Sequence, residues 1–185
     1  MDLNQARFNM IEQQIRPWEV LDPQVLELLN VVRREDFVPL AHKALAFVDM
    51  EIPLGAAPNQ VMLAPRVQAR LLQDLAVKKT DKVLEIGTGS GFMAALLAHQ
   101  AASVLTLESD ATLATQAQTN LQNAGVNNAT VRLADGSQGA AADGPFDVIL
   151  LSGSVAEVPA ALLQQLKVGG RLAAIVGDEP MMRAT

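Results

Sequence analysis

Four nearly all-apolar segments in the second half of the chain place the strongest constraint on its fold. They read KVLEI at 82–86, SVLTLE at 103–108, FDVILL at 146–151 and RLAAIV at 171–176. Strands of this kind are buried on both faces, as in a parallel sheet that helices cover. The sequence therefore predicts an α/β fold of the doubly wound, Rossmann-like type.

A fifth strand and the intervening helices complete this predicted unit. The additional strand is predicted at 129–133, and helices are predicted at 91–100, 111–124 and 159–166. Gly125 is expected to end the second of these helices, because glycine adopts the left-handed conformation common at that position. Right-handed crossovers then predict a mainly parallel sheet with the strand order 3-2-1-4-5.

The first 78 residues are predicted to form a helical extension and a loop ahead of a domain at 79–185, with both parts in one compact unit. The predicted helices are 4–15, a segment that starts with Asp22 as its cap, and 66–77. The spacing of Phe8, Ile11 and Ile15 predicts that these side chains form the buried face of the first helix, which Pro17 is expected to end.

Composition narrows the class of protein. The chain has 185 residues, which suits one domain, and a net charge of −6 with no basic run, so nucleic acid is not an expected partner. It has no cysteine, and His42 and His99 lie far apart, so no metal site and no catalytic histidine are expected. Neither a signal segment nor a membrane-spanning segment is recognisable, and the expected location is the cytoplasm.

The segment KVLEIGTGSG, residues 82–91, carries the first functional pattern. A buried strand runs into a loop with Gly87, Gly89 and Gly91, and a helix follows. Glycines let the backbone bend sharply and approach a ligand closely, although such a loop is also found as a plain strand-to-helix turn. The spacing is G-x-G-x-G, and Phe92 occupies the position where dinucleotide-binding sites have their third glycine.

Acidic residues at two strand ends extend the pattern. Glu108 ends the second strand, 17 residues beyond Gly91, where a carboxylate can accept hydrogen bonds from both ribose hydroxyls. Asp135, followed by Gly136, ends the third strand and is placed to meet an adenine amine. The alternatives are a solvated strand end and a common Asp-Gly turn. The polar run 152–154 ends the fourth strand and is a weaker candidate to line the reaction site.

This constellation resembles the class I AdoMet-dependent methyltransferases. A wider match covers essentially the whole chain and resembles the protein-L-isoaspartate O-methyltransferases. It includes RFNMIEQQIRPWEVLDPQVLELLNVVRREDFVP, AFVDMEIPLG, VLEIGTGSGFMAALLA, RLADGSQG and GPFDVILLSGSVAEVPAALLQQL. The resemblance implies AdoMet as cofactor and a protein or peptide substrate. It implies cofactor contacts from Glu85, Gly87, Thr88, Gly89, Gly91, Glu108, Asp135 and Gly136.

The expected substrate loop departs from the family pattern. Where the family has G-Q-T-I-S-Q-P, this chain has N-Q-V-M-L-A-P at 59–65, and its loop residues are Gln60, Val61, Met62 and Leu63. Val61 replaces the threonine and Leu63 replaces the serine, so the loop hydroxyls are lost. We therefore expect weak or absent methylation of isoaspartyl peptides, while the cofactor site is unaffected.

Several functions remain open at this stage. An ionised carboxylate attacks a methylsulfonium without a general base, so a carboxyl methyltransferase needs no catalytic histidine. The alternatives are an AdoMet methyltransferase with another acceptor and a catalytically silent AdoMet-binding protein. A nicotinamide-dependent dehydrogenase is disfavoured by the glycine spacing.

The end of the chain carries one further expectation. Class I methyltransferases usually have two more strands after the one that begins near Arg171, one of them antiparallel. This sequence stops at Thr185. The resemblance therefore implies that these strands are missing, and either this sequence is a piece of a longer chain or its sheet has an uncovered edge, which favours aggregation.

Overall fold

The computed structural model of the chain describes residues 2–178 and 181–185. Within these residues the strands are β1 (Ile52–Pro53), β2 (Val61–Met62), β3 (Lys82–Ile86), β4 (Ser103–Glu108), β5 (Ala129–Leu133), β6 (Phe146–Val155), β7 (Leu166–Val176) and β8 (Arg183–Ala184). The α-helices are α1 (Leu3–Met10), α2 (Pro23–Val31), α3 (Pro65–Leu75), α4 (Phe92–Gln100), α5 (Ala111–Asn123) and α6 (Ala160–Leu163).

The main sheet has the strand order β5-β4-β3-β6-β7-β8, and its first five strands are parallel. This confirms the predicted order 3-2-1-4-5 and the Rossmann-like class. The carboxyl ends of β3, β4, β5 and β6 meet at one edge, and the order reverses between β3 and β6. Ligands of such folds bind at that switch point.

The expectation of an uncovered edge at β7 needs correction. Strand β8 pairs antiparallel with the end of β7, and Thr185 exchanges two backbone hydrogen bonds with Ala174, of 2.8 and 2.9 Å. The chain turns back at Gly177, whose φ of +128° is open to glycine but rare for other residues. A short antiparallel strand therefore covers part of this edge.

Two elements near this edge differ from their predicted bounds. Helix α6 has four residues and ends at Leu163, and β7 already begins at Leu166. Leu166 pairs with Phe146 of β6, and Gly169 adopts a positive φ of +80° within β7. The sequence pattern missed this start because the glycine pair at 169–170 is typical of a turn; in the structure the register with β6 shifts between Leu166 and Arg171, and β7 continues through this irregularity.

Helices cover both faces of the sheet. The adjacent residues Val83 and Leu84 are fully buried and belong to two separate apolar clusters, as expected when side chains alternate along a strand. The cluster around Val83 also contains side chains of α2, α3 and α4, so the N-terminal region packs on that face. The cluster around Leu84 is closed by Leu162 of α6.

The predicted buried face of the first helix was wrong at Phe8, whose side chain is 55% exposed. Ile11 and Ile15 are buried as predicted, and Arg7 and Met10 complete the buried face. Arg7 takes the inner position because it forms a buried ion pair with Glu35. A hydrophobicity pattern cannot find a stripe that contains a charged residue.

The end of this helix also differs from the prediction. After α1 the chain continues through a π-helical turn at Ile11–Ile15 and a 3₁₀ turn at Arg16–Trp18, so Pro17 lies inside the helical segment. The left-handed residue Glu19 follows it. In the part of the chain that the structure describes, no helix is long and apolar enough to cross a membrane.

In the segment 47–65, two short strands form a hairpin. Strands β1 and β2 pair antiparallel, with Ile52 opposite Met62 and Pro53 opposite Val61. A hydrogen bond of 2.7 Å from the Leu54 amide to the Gln60 carbonyl closes the hairpin. We call residues 52–65 the acceptor loop. It leads directly into α3.

Candidate active site

The three glycines between β3 and α4 all have left-handed backbone conformations. The φ angles of Gly87, Gly89 and Gly91 are +89°, +53° and +84°. A side chain is strained at these angles, so the loop requires glycine for its shape. The conformation follows from the local sequence, and it brings the backbone of the loop to the switch point of the sheet.

The glycines differ in what surrounds them. A Cβ atom on Gly89 would lie 3.1 Å from Leu54 of the acceptor loop, whereas one on Gly91 would lie 3.3 Å from the Ala117 carbonyl of α5. Gly87 lines cavities at the switch point. Gly91 lies against a helix, so it supports close helix packing, and of the three glycines it is the one most removed from the cavities described below.

Glu85, two residues before the loop, is fully buried. Its carboxylate accepts hydrogen bonds from the hydroxyls of Ser152, at 2.6 Å, and Thr106, at 2.7 Å. Burial raises the pKa of Glu85 from 4.5 to about 7; the two hydroxyls oppose this shift and the nearby Glu108 adds to it. Thr88 lies 2.6 Å from the Thr106 hydroxyl and extends this buried network.

Glu108 lies at the carboxyl end of β4 and is 7% exposed. One carboxylate oxygen accepts the Gly89 amide at 2.9 Å, and the other accepts the Asp110 amide at 3.0 Å. Each oxygen keeps a second lone-pair direction. The side chain therefore holds the glycine loop in place and can still accept hydrogen bonds from a ligand.

A cavity of about 270 Å³ lies beside Glu108 at the switch point. Apolar side chains of four sheet-edge or helix positions form most of its wall, namely Ile86, Leu107, Leu151 and Leu162. Asp135 and Gly136 lie at its rim, and Asp135 is exposed and caps a 3₁₀ turn through the Ser137 amide at 2.9 Å. The size and the flat apolar walls suit a purine ring, with a carboxylate at its edge.

A second cavity of about 240 Å³ continues from Glu108 and the glycine loop to the acceptor loop. It shares Gly87, Glu108 and Ser109 with the first cavity. Gln60 and Val61 of the acceptor loop and Ser152 after β6 complete its wall. The structure thus brings the predicted substrate loop and the predicted cofactor residues to one site.

A third cavity, of about 390 Å³, opens to the surface beyond Ser152. Its lining residues are Glu51, Pro58, Asn59, Val61, Leu63, Ser152, Gly153, Ser154, Ile175 and Met182. We call it the acceptor groove. The run 152–154, only a weak candidate from the sequence, therefore lies between the second cavity and this groove.

The acceptor loop is fixed by contacts far along the chain. The Gln60 side chain donates a hydrogen bond of 3.0 Å to Asp110, the cap of α5. Met62 and Leu63 are buried, and the carbonyl of Leu63 accepts a hydrogen bond of 2.8 Å from Arg34. The exchanged hydroxyl positions thus carry apolar side chains that are packed into the wall of the site.

Sequence reasoning missed two buried polar residues next to this loop, Arg34 and Gln68. Gln68 of α3 lines a cavity of about 20 Å³, large enough for one water, together with Glu85 and Leu63. Arg34 donates hydrogen bonds to Gln68 and to Leu63. Both lie within helical segments, where a charged or amide residue is normally exposed, so no local signal marks them.

The fold and the site together define the class of this protein. The parallel sheet in this order places Glu108 at the second strand end, a cavity of purine size beside it, and the carboxyl groups of Glu85 and Glu108 next to the glycine loop. Carboxylates suit the positive charge of a sulfonium and an amino group. The chain is a class I AdoMet-dependent methyltransferase, and AdoMet is its cofactor.

Comparisons with known proteins identify the family. The family of protein-L-isoaspartate(D-aspartate) O-methyltransferases matches residues 5–184. A relative of that name from Koribacter versatilis is 41% identical, over 93% of this chain and 77% of its own length. A relative from Marinobacter nauticus, protein-L-isoaspartate O-methyltransferase 2, is 40% identical over 96% of this chain and 80% of its own. The chain belongs to the protein-L-isoaspartate O-methyltransferase family.

A solved structure agrees with this fold. A protein from Plasmodium falciparum, described as a protein-L-isoaspartate O-methyltransferase in complex with S-adenosyl-L-homocysteine, matches all of this chain and 88% of its own. Its TM-score is 0.78 at 17% sequence identity. At that identity the likeness shows the shared fold, including the helical N-terminal region.

Proposed function

We propose that this enzyme methylates isoaspartyl carboxyl groups of damaged proteins or peptides, and that it does so slowly. The observation that carries the proposal is the continuity of three cavities. The purine-sized cavity shares Gly87 and Glu108 with the second one, and the second shares Val61 and Ser152 with the acceptor groove. The acidic, cysteine-free composition supports the cytoplasm as the proposed location.

The proposed cofactor contacts follow the cavity walls. Glu108 accepts hydrogen bonds from the ribose hydroxyls, and Asp135 accepts one from the adenine amine. The buried carboxyl of Glu85 lies on the side of the glycine loop that faces the acceptor loop, where it favours the positive part of the cofactor. The backbone approaches the cofactor closely at Gly87, Thr88, Gly89 and Gly136. Gly91 acts through its packing on α5.

The proposed reaction requires little acid–base catalysis by the protein. AdoMet would supply a methyl group carried on a sulfonium. A carboxylate oxygen of the acceptor would bond to that methyl carbon, and the electron pair of the broken carbon–sulfur bond would stay on sulfur. The acceptor carboxylate is already ionised at neutral pH. The residues of the acceptor loop and the run 152–154 then act by orienting the acceptor and excluding water, which can supply large effective molarities of roughly 10⁵–10⁸ M.

The slow rate follows from the hydroxyl groups at the site. Val61 and Leu63 offer none, and the hydroxyl of Ser152 already donates to Glu85. Ser154 lines the acceptor groove and is exposed, so it is the proposed substitute donor for the acceptor carboxylate. The apolar groove wall around Leu63 leaves a carboxylate poorly oriented.

A labelled-methyl assay on matched isoaspartyl and aspartyl peptides tests this proposal. Slow, isoaspartyl-selective turnover that Ser154→Ala lowers further is the expected result. AdoMet binding in calorimetry without turnover on either peptide would contradict it and would favour another acceptor or a silent binding protein. A thermal-shift comparison of AdoMet with NAD checks the cofactor independently.

A further inference from the structure

Arg34 is a buried cation outside the cavities of the active site. It begins a 3₁₀ turn, Arg34–Asp36, after α2, and only 1% of it is exposed. In the described ranges 2–178 and 181–185, no carboxylate lies within ion-pair distance of its guanidinium. A buried charge without an ion partner costs free energy, so stability gives no reason for a cation at this position.

The guanidinium stays charged at neutral pH. Burial lowers the pKa of Arg34 to about 9, and the negative charge of Asp49 partly opposes this shift. Asp49 itself is held by a different cation, Arg66, at 2.5 Å. The charge on Arg34 is therefore compensated mainly by hydrogen bonds to neutral groups.

Arg34 joins three elements of the site, two by hydrogen bonds and one by a contact with an aromatic ring. One terminal nitrogen, Nη2, donates to the Leu63 carbonyl at 2.8 Å, and the other, Nη1, donates to the Gln68 side chain. The guanidinium carbon lies 5.2 Å from the ring centroid of Phe92. Leu63 belongs to the acceptor loop, Gln68 to α3, and Phe92 is the first residue of α4 after the glycine loop.

We infer that Arg34 is a positioning residue for methyl transfer. It fixes the position of the acceptor loop relative to the glycine loop. Its planar fork fixes the backbone at Leu63, and its stacking on Phe92 ties that backbone to the start of α4. Leu63 lines both the acceptor groove and the small cavity beside Glu85. A shift of about one ångström between reactants can cost on the order of a hundredfold in rate.

Arg7 provides a matched comparison within the same region. It is also a buried arginine, 7% exposed, and its guanidinium lies 5.8 Å from the ring centroid of Phe47. Its partners are Glu35 and Asn4, and neither lines a cavity of the site. Glu35 is the chain neighbour of Arg34, so the control is Arg7→Lys, which keeps a cation opposite Glu35 while altering a buried arginine that does not contact the acceptor loop.

The experiment compares Arg34→Met, Arg34→Lys and Arg7→Lys in the full chain. The kinetic readout, kcat and KM on the isoaspartyl peptide, rests on the proposed function. The AdoMet dissociation constant and amide hydrogen exchange of residues 58–64 are measured beside it. In Arg34→Met, kcat falls by about tenfold or more while AdoMet affinity is kept. Arg34→Lys lies between, because an ammonium cannot reproduce the two-pronged geometry. Arg7→Lys keeps kcat and loop exchange.

Two outcomes overturn the inference. One is an unchanged kcat and unchanged loop exchange in both Arg34 variants, with only a lower melting temperature. The other is an equal loss in Arg7→Lys. If the unaltered enzyme does not turn over the peptide, the proposed function fails, and the exchange measurement alone decides on Arg34. If Arg34→Met does not fold, Arg34→Lys against Arg7→Lys carries the comparison.

Discussion

The glycines and carboxylates that we propose as cofactor contacts lie within one stretch of the chain, residues 85–136, whereas the acceptor side draws residues from 34 to 154. On the cofactor side, the backbone conformations of the glycines and the carboxylate of Glu108 support one another through the Gly89 amide. On the acceptor side, the loop depends on partners as distant as Asp110 and Arg34. The polar contacts that we propose for the cofactor are therefore close together in the sequence, whereas the acceptor loop depends on tertiary contacts.

The largest effect is expected from Gly89→Val, which should abolish AdoMet binding. The new side chain meets Leu54 at 3.1 Å and strains a φ of +53°, and it occupies the approach to the cofactor. Calorimetric titration with AdoMet measures the loss. Gly125→Val is the control, because Gly125 has φ +70° with no atom within 4 Å, so it bears the same strain without the contact. Tight AdoMet binding by Gly89→Val would show that the glycine loop does not determine cofactor binding.

The next effect concerns the acceptor side alone. Leu63→Ser should raise kcat/KM on isoaspartyl peptides by up to about a hundredfold, because a hydroxyl can orient the acceptor carboxylate. AdoMet affinity should not change. Leu63→Ala removes a similar volume but adds no hydroxyl. Like Leu63→Ser, it should lower the free energy of unfolding by about 2–5 kcal/mol, but it should not raise kcat/KM.

Two results would count against the role of this position. Equal rates for Leu63→Ser and Leu63→Ala would show that volume, not hydrogen bonding, limits the reaction. Fast, isoaspartyl-selective turnover by the unaltered enzyme would show that the hydroxyl is dispensable.

Glu108→Ala should weaken AdoMet binding by at least about tenfold, because hydrogen bonds to a charged group contribute roughly 1.5–3 kcal/mol. Its loss also frees the Gly89 amide that it holds at 2.9 Å. The AdoMet dissociation constant from calorimetry measures the effect. Glu27→Ala, which removes the same charge from an exposed position on α2, should leave affinity unchanged. An unaltered constant in Glu108→Ala would refute the ribose assignment.

The last effect concerns stability and not binding: the free energy of unfolding should depend on pH through Glu85. Its pKa is raised from 4.5 to about 7, so between these values the folded chain binds more protons than the unfolded chain. The free energy of unfolding therefore falls as pH rises through this window, by at most about 1.4 kcal/mol per pH unit. Denaturant titrations from pH 5 to 8 should show this fall relative to Glu85→Gln, which cannot ionise. Parallel pH profiles for the two proteins would mean that Glu85 is not a buried acid of raised pKa.

The sequence by itself determined the sheet and the cofactor side. Apolar strands such as 82–86 can be buried only in a helix-covered parallel sheet, and Gly87 and Gly89 mark backbone angles that other residues avoid. Glu108 and Asp135 were predicted as site residues because strand ends meet at one edge in this topology. These signals are local or follow from strand order, so they can be read without coordinates.

Only the tertiary structure decided the rest. It buried Arg7 where the pattern predicted Phe8, extended the strand that begins at Leu166, and placed Arg34 and Gln68 beneath the acceptor loop. A polar side chain enters a core only when partners distant in sequence satisfy its hydrogen bonds, and nothing in its own neighbourhood records those partners. That is why the acceptor side, which depends on such contacts, could be read from the sequence only as a loop.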